Sequence, residues 1–329
     1  MGGSFSDLGF EHKISKKDFV LVRKFDDSRL GEVSEMKNQI TGKIVLMKEK
    51  EINTILKQEE LLSQFSSRVS LNHRNLVSIF GFTATDGNDI FLSHQKICIY
   101  FEYLQKDLLQ AIKNRKTPFA DSHINYHGIE TNPQPFEESE LFGLMTQLID
   151  VMEYLQQNGI HHGDIRPETC FISEEGIIKL FGQWDTSNES FIVDLIKNER
   201  NQRKFLTSTA LLGLKKDVKK HIENRHKQDV FSLGLTMLEC ATLERSLDIY
   251  DFENLKLDAE LLSERLMETK HKYSPRIFHL ITKMLHFDED KRPDFIELKQ
   301  YLNEGKKCNE SRFDSNVNEV HHFFLIFKG

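Results

Sequence analysis

The sequence predicts an α+β fold that has a strand-rich first part and a mainly helical second part. Between Phe19 and Tyr103, short runs rich in β-branched and aromatic residues are typical of strands. Beyond Leu104, apolar residues recur three and four positions apart, which is typical of helices packed on a core. We therefore expect a bilobal architecture with a β-rich N-lobe and a mainly helical C-lobe.

Four short runs predict the strands of the N-lobe: 19–22, 44–47, 76–80 and 97–101. A charged stretch over residues 50–66 places apolar side chains at helical spacing, so we expect one helix among these strands. In the C-lobe, residues 139–157 carry apolar side chains along one helix face and predict a long buried helix. Two further helices are predicted over 229–241 and 292–302.

Proline, asparagine and histidine residues in 117–137 predict a surface insertion within the C-lobe. The last residues end in an apolar run, Phe323–Phe327, which needs a surface to bury it. The chain thus divides into a tail, an N-lobe, a C-lobe and a second tail: 1–18, 19–104, 105–304 and 305–329.

Composition excludes several classes of protein. The net charge of −7 argues against general nucleic-acid binding. No apolar run reaches the roughly 18 residues that a membrane-spanning helix needs. The first residues, Met1–Ser6, fit the M-G-x-x-x-[ST] pattern for N-myristoylation at Gly2. We expect membrane contact only if Gly2 is acylated, and one acyl chain alone binds membranes weakly.

Six short motifs occur in one consistent order along the chain. The most informative is His162-Gly-Asp-Ile-Arg-Pro-Glu-Thr169, which follows the long predicted helix. The other five are 45–48, 73–76, 101–104, 229–234 and 284–293. Together they resemble the V-A-I-K strand, the HPN turn, the hinge, the catalytic loop and the two late C-lobe helices of protein kinases. The resemblance covers residues 19–304.

The resemblance implies a degenerate ATP cleft, formed by Gly31, Val33, Leu46, Lys48, Phe101, Glu102 and Phe171. Asp26 and Ser28 stand where kinases have the first two glycines of the phosphate loop. We interpret that loop as an ordinary solvated β-turn. Leu46 and Phe171 are larger than the usual residues of the adenine pocket, and we expect them to fill it.

The resemblance assigns catalytic positions that we interpret as vestigial: Lys48, Asp164 and Arg166. The helix carboxylate that pairs with Lys48 in kinases corresponds to Gln64, or to Glu60 if the helix is one turn longer. Gly163 replaces the arginine that docks a phosphorylated activation loop.

The two metal positions of kinases are changed, because Thr169 replaces the asparagine and Gly182 replaces the aspartate. Asp185 would be a displaced ligand only if the hairpin held an insertion. Residues 205–209 replace the Ala-Pro-Glu end of the activation segment. Arg292 then needs another partner, either Glu297 or a backbone carbonyl.

We therefore expect a pseudokinase that is not an enzyme and takes no cofactor, with binding of ATP and Mg²⁺ weak or absent, and that serves as a scaffold or structural subunit. The alternative is a divergent serine/threonine-type kinase with weak, atypical use of ATP. The expected partners are proteins within a larger assembly, not nucleic acids. We expect a cytoplasmic location, with cytoskeletal or membrane association as alternatives.

Overall fold

A computed structural model describes the chain over residues 16–27, 31–52, 71–85, 95–117, 133–173, 175–182, 205–215 and 224–304. Its residues divide into two compact units, the first ending at Gln105 and the second beginning at Lys106. Several predictions lie outside the described residues: Gly2 and the first tail up to residue 15, Ser28, Gln64, Glu60, Asp185, most of the 117–137 insertion and the 305–329 tail. None of the described helices is long and apolar enough to cross a membrane.

The first unit contains a five-stranded antiparallel sheet in the order β1-β2-β3-β5-β4. Its strands are β1 Phe19–Asp27, β2 Gly31–Asn38, β3 Ile44–Ile52, β4 Ile79–Thr85 and β5 Gln95–Glu102. The predicted strands at 19–22, 44–47 and 97–101 are confirmed, and the one predicted at 76–80 begins at Ile79. The helix predicted from residue 50 is wrong at its start, because β3 continues through Ile52.

One face of this sheet carries a compact apolar core. It is formed by buried residues of the three central strands: Met36, Val45, Met47, Cys98 and Tyr100. Phe19 of β1 stacks on Tyr100 with ring centroids 5.0 Å apart. Because side chains alternate between the faces of a strand, Val45 and Met47 of β3 and Cys98 and Tyr100 of β5 enter this core. The intervening residues lie on the other face, which carries the predicted nucleotide positions Leu46, Lys48 and Phe101.

The second unit is mainly helical. Its helices are α1 Leu108–Lys116, α2 Glu138–Gln157, α3 Ser208–Lys215, α4 Arg225–Thr242, α5 Ala259–Lys272, α6 Pro275–Met284 and α7 Phe295–Glu304. Its short strands are β6 Lys106–Asp107, β7 Cys170–Ile172, β8 Ile178–Leu180, β9 Tyr250–Asp251 and β10 Lys256–Leu257. The helices predicted over 139–157 and 229–241 are confirmed as α2 and α4, and the one predicted over 292–302 is α7, which begins at Phe295. The predicted α+β fold, with a β-sheet first part and a helical second part, is also confirmed.

Helix α4 lies at the centre of the second unit. All of its residues from Asp229 to Thr242 are buried. It begins where the Asn224 side chain accepts hydrogen bonds from the amides of His226 and Lys227, a common N-terminal cap. It ends at Leu243, which has left-handed backbone conformation with φ of 61°. Since α4 contacts α2, α5, α6 and α7, it fixes the position of the loops that surround its N-terminal half.

Candidate functional site

The predicted nucleotide residues of the first unit gather on one face of its sheet. In the strand register, Leu46 pairs with Phe101, and Lys48 pairs with Ile99. Directly paired residues of antiparallel strands project to the same face. Val33 lies beside Lys48 on this face, because the next residue of β2 pairs with Met47. The structure therefore brings Val33, Leu46, Lys48 and Phe101 together, with Val33, Leu46 and Phe101 each less than 5% exposed.

The remaining nucleotide positions of this unit lie at strand ends. Gly31 begins β2 and pairs with Asp27, the last residue of β1. Lys48 Nζ donates to the carbonyl of Glu32 at 3.0 Å. Glu102 ends β5, and its carboxylate accepts the amide of Ser78 at 3.1 Å. The question of whether Gln64 or Glu60 accompanies Lys48 stays a prediction.

In the second unit, the loop from His162 to Thr169 is anchored by one buried carboxylate. Asp229, in the first turns of α4, is fully buried. Its two oxygens accept the amides of His162 and Gly163 at 2.6 and 2.7 Å. Gly163 has φ of 75°, a conformation that favours glycine over the arginine found in kinases. The sequence contained this aspartate within a motif, but its role as the anchor of the loop was missed.

His162 ties the same loop to the strand that precedes Gly182. The amide of Asp164 donates to His162 Nδ1 at 3.2 Å, so Nδ1 is the acceptor nitrogen. His162 Nε2 then carries the proton and donates to the carbonyl of Phe181 at 2.7 Å. The amide of Phe181 donates in turn to the carbonyl of Thr169 at 2.8 Å. These contacts place Gly182 directly beside the loop.

Asp164 and Arg166 form a buried ion pair within this loop. Arg166 Nε lies 3.0 Å from Asp164 Oδ1, and both side chains are 7% exposed. Glu168 Oε1 is more distant, at 4.0 Å from Arg166 Nη1. Among the described residues, the buried Arg166 Nη2 has no hydrogen-bond acceptor. An unsatisfied buried charged group is costly, so this guanidinium is well suited to receive an anionic ligand such as a phosphate.

Thr169 and Gly182, at the two metal positions, do not fit Mg²⁺. Mg²⁺ prefers carboxylate and other hard oxygen ligands in octahedral geometry. Thr169 is 2% exposed, and its hydroxyl lies 2.8 Å from the Asp164 carbonyl and 3.0 Å from the Arg166 carbonyl. Gly182 has no side chain to contribute. Within the described residues there is also no cluster of three or more acidic, histidine or cysteine side chains that could hold a metal.

Phe171 is the predicted adenine-pocket residue of the second unit. It lies in β7, is 5% exposed and contacts Phe181 edge-to-face, with ring centroids 6.2 Å apart. Leu46 belongs to the first unit. The hypothesis that Phe171 and Leu46 together fill an adenine pocket stays a prediction.

The segment at 205–209 is held by residues of α4 and by Tyr250. Gln228 Nε2 and Ser232 Oγ both donate to the carbonyl of Phe205, at 2.8 and 3.0 Å. Tyr250 donates its hydroxyl hydrogen to the carbonyl of Leu206 at 2.8 Å. These clamps were not predicted, because side chains that bond to a backbone carbonyl leave no periodic signal in the sequence.

Arg292 has found backbone partners, one of its two predicted alternatives. It is 1% exposed and donates to the carbonyls of His286, Lys227 and Phe287 at 2.8 to 3.3 Å. Its guanidinium also lies over the Phe231 ring at 5.1 Å. Glu297, the other alternative, instead accepts the amide of Asp294 at 2.8 Å.

Comparison with known proteins identifies one family. Residues 19–302 match the family model described as protein tyrosine and serine/threonine kinase. The chain is similar to the Aurora kinase of Saccharomyces cerevisiae, with 24% identity over 70% of the chain and 54% of that protein. It is also similar to an interferon-induced, double-stranded RNA-activated protein kinase of Rattus norvegicus, with 21% identity over 90% of the chain and 54% of that protein.

A third relative is a probable serine/threonine-protein kinase of Dictyostelium discoideum, with 23% identity over 91% of the chain and 24% of that protein. The chain therefore spans about half, or less, of the length of these relatives. All three are named as kinases, and kinases transfer the γ-phosphoryl group of Mg²⁺-ATP. The expectations that the chain is not an enzyme and that it takes neither ATP nor Mg²⁺ are therefore wrong. The changes at Thr169 and Gly182 had been given more weight than the family supports.

Proposed function

Because this chain belongs to the family of protein tyrosine and serine/threonine kinases, we propose that it is a divergent serine/threonine-type protein kinase with atypical use of ATP. The observation that carries the proposal is the buried Asp164–Arg166 pair, in which Arg166 Nη2 has no acceptor within the described part of the chain. The named serine/threonine relative supports the substrate class, a hydroxyl-bearing side chain of a protein.

The proposed roles follow from the chemistry of each group. ATP, when bound, supplies the γ-phosphoryl group. Asp164 accepts the proton of the attacking hydroxyl, as a carboxylate base does. Arg166 donates its N–H atoms to phosphate oxygens and so offsets their negative charge. In the first unit, the resemblance to kinases assigns to Lys48 the role of a point charge for phosphates; here its ammonium donates to the Glu32 carbonyl.

The fixed geometry of the loop supports these roles. Phosphoryl transfer depends on positioning and electrostatics rather than on covalent chemistry by the protein. Asp229 and the His162 ring hold the amides of His162, Gly163 and Asp164 by three hydrogen bonds of 2.6 to 3.2 Å. The Thr169 hydroxyl donates to the Asp164 carbonyl at 2.8 Å. A base held in this way needs little reorganisation when a substrate arrives.

The chain is divergent at its metal positions. Thr169 and Gly182 supply no carboxylate, so we derive no step that passes through a metal. Gly163 likewise cannot dock a phosphorylated loop, and activity is therefore expected without phosphorylation of the activation segment. In this chain, degenerate therefore means that these positions differ from those of the family. It does not mean that the reaction is lost.

Two measurements test this proposal. Thermal unfolding is followed during titration with ATP, with and without Mg²⁺ or Mn²⁺. An ATP concentration of about 100 times its Kd stabilises the folded state by about 2.7 kcal/mol. Transfer of radiolabelled phosphoryl groups to casein is then compared between the parent chain and Asp164→Asn. We expect an ATP-dependent shift in both proteins and phosphoryl transfer by the parent alone.

The matched control is Asp258→Asn. Asp258 caps α5 by accepting the Leu261 amide, and asparagine can accept the same hydrogen bond. It is expected to retain full transfer. The proposal is overturned if the parent shows no ATP-dependent shift, or if its transfer does not exceed that of Asp164→Asn.

A further inference from the structure

Exposed apolar side chains concentrate at one end of the N-terminal sheet. Seven large apolar residues among the described ones are more than one third exposed. Four of the seven lie at this end: Val20 at 50%, Leu21 at 48%, Val22 at 50% and Ile40 at 85%. We call these four residues the apolar tip. Concentrations of this kind mark interaction surfaces, whereas single exposed apolar residues need no explanation.

The apolar tip is assembled from two neighbouring segments. β1 contributes its first residues, and the turn between β2 and β3 contributes Ile40. The two are joined because Phe19 pairs with Asn38 in the strand register. The amide of Gln39 also donates to the carbonyl of Asp18 at 2.9 Å. The apolar tip is therefore one continuous structural feature of the first unit.

The turn that carries Ile40 is well ordered by local hydrogen bonds. The Asn38 side-chain oxygen accepts the amides of Ile40 and Thr41 at 3.0 and 2.8 Å. The Asn38 amide donates to the Lys43 carbonyl, and Gly42 has the positive φ of 71° that closes the turn. The backbone therefore holds Ile40 away from the sheet, and its exposure is a consequence of this geometry.

The apolar side chains project to both faces of the edge strand. Val20 pairs with Lys37, on the face opposite the apolar core, and Leu21 pairs with buried Met36. An irregularity between Leu21 and Arg23 adds Val22 to the same stretch. A flat protein interface would cover only one of these faces. Lipid surrounds an inserted tip from all sides and can cover both.

Lysines flank the apolar tip. Lys17, Lys37 and Lys43 are exposed, and Lys37 directly pairs with Val20. Two acidic residues lie nearby: Asp18, which is partly exposed, and Glu35, whose side chain is 8% exposed and pairs with Arg23 at 2.7 Å. A rim of lysines around apolar side chains complements an anionic membrane surface.

We propose that the apolar tip inserts into the headgroup region of an anionic membrane, where Lys37 and Lys43 bind the lipid phosphates and carboxylates. This binding uses the first unit alone and requires neither phosphoryl transfer nor acylation of Gly2. An acyl chain would add to it, because stable anchoring takes two membrane-binding signals.

Cosedimentation with lipid vesicles tests this proposal. The full, unacylated chain is mixed with vesicles of phosphatidylserine and phosphatidylcholine, and with vesicles of phosphatidylcholine alone. We expect binding to the anionic vesicles that weakens with added salt. Ile40→Asp should weaken it by at least about tenfold, because a carboxylate neither inserts nor binds an anionic surface. Leu212→Asp is the matched control, since Leu212 is 49% exposed in the second unit, and it should bind like the parent.

Three results would overturn the proposal. The first is that the parent does not bind anionic vesicles. The second is that Ile40→Asp and Leu212→Asp bind these vesicles equally well. The third is that light scattering shows a dimer of the parent that Ile40→Asp dissociates, which would assign the apolar tip to a second copy of the chain. Binding by the parent and by Leu212→Asp, but not by Ile40→Asp, supports insertion of the apolar tip.

Discussion

Replacing Asp229 with asparagine isolates the electrostatic anchor of the catalytic loop. The carboxylate is fully buried and accepts the amides of His162 and Gly163 at 2.6 and 2.7 Å. Asparagine has almost the same shape but only one acceptor oxygen. In either orientation its NH₂ group faces an amide N–H, so one loop amide loses its acceptor and meets another donor.

The expected cost follows from these two contacts. A hydrogen bond to a charged group contributes about 1.5–3 kcal/mol, and one of the two is lost outright. The other becomes a neutral hydrogen bond worth about 0.5–1.5 kcal/mol, so it also weakens by roughly 1 kcal/mol. We therefore expect the free energy of unfolding to fall by about 2.5–4 kcal/mol.

Urea denaturation of the parent, Asp229→Asn and the cap variant Asp258→Asn measures this cost. Asp258 also accepts a backbone amide, that of Leu261 at 3.0 Å, but at an exposed helix start where asparagine serves equally well. Phosphoryl transfer by Asp229→Asn should fall together with stability, because Asp164 loses its fixed backbone. If Asp229→Asn lowers the free energy of unfolding by less than about 1 kcal/mol, and no more than Asp258→Asn does, the role of Asp229 as anchor is refuted.

Three further changes have defined outcomes. Gly234→Ala should lower the melting temperature, because its Cβ would lie 2.8 Å from Leu285 Cδ2, and overpacking of about 1–3 kcal/mol exceeds a helical gain of about 1 kcal/mol. Burial raises the pKa of Glu239 from 4.5 to about 7. The contribution of its protonated form to folding stability is therefore fully present below about pH 4.5 and is lost as pH rises through about 7. Glu239→Gln should therefore flatten the stability of the chain, measured in urea, between about pH 5 and about pH 8. Asp185→Asn, outside the described residues, should abolish any metal dependence of the ATP-induced thermal shift; an unchanged dependence would exclude Asp185 as the metal ligand.

The fold could be predicted because its signals are local and repeated. Helix α2 followed from apolar residues at helical spacing over 139–157, and the strands from β-branched runs. β2 was missed, because Gly31–Asn38 mixes charged residues with apolar ones and had been interpreted only through its resemblance to a phosphate loop. Its cross-strand partners, which the sequence does not reveal, determine its structure.

The site was predicted residue by residue but not contact by contact. The positions of Asp164, Arg166 and Thr169 followed from the spacing of one motif. That the Thr169 hydroxyl would bond the Asp164 carbonyl could not be predicted, because such a bond depends on the path of the backbone. The partners of Arg292 were left as alternatives for the same reason.

The geometry of the loop and its chemistry carry different weight as evidence for function. Hydrogen bonds from His162 and Asp229 stabilise the fold, so they would persist whether or not the chain transfers phosphoryl groups. The Asp164–Arg166 pair is different, because a buried charged pair costs desolvation, and Arg166 Nη2 has no acceptor in the described ranges. Groups that cost stability are retained where they contact a ligand or a reacting atom. The ion pair is therefore the stronger evidence for an active site.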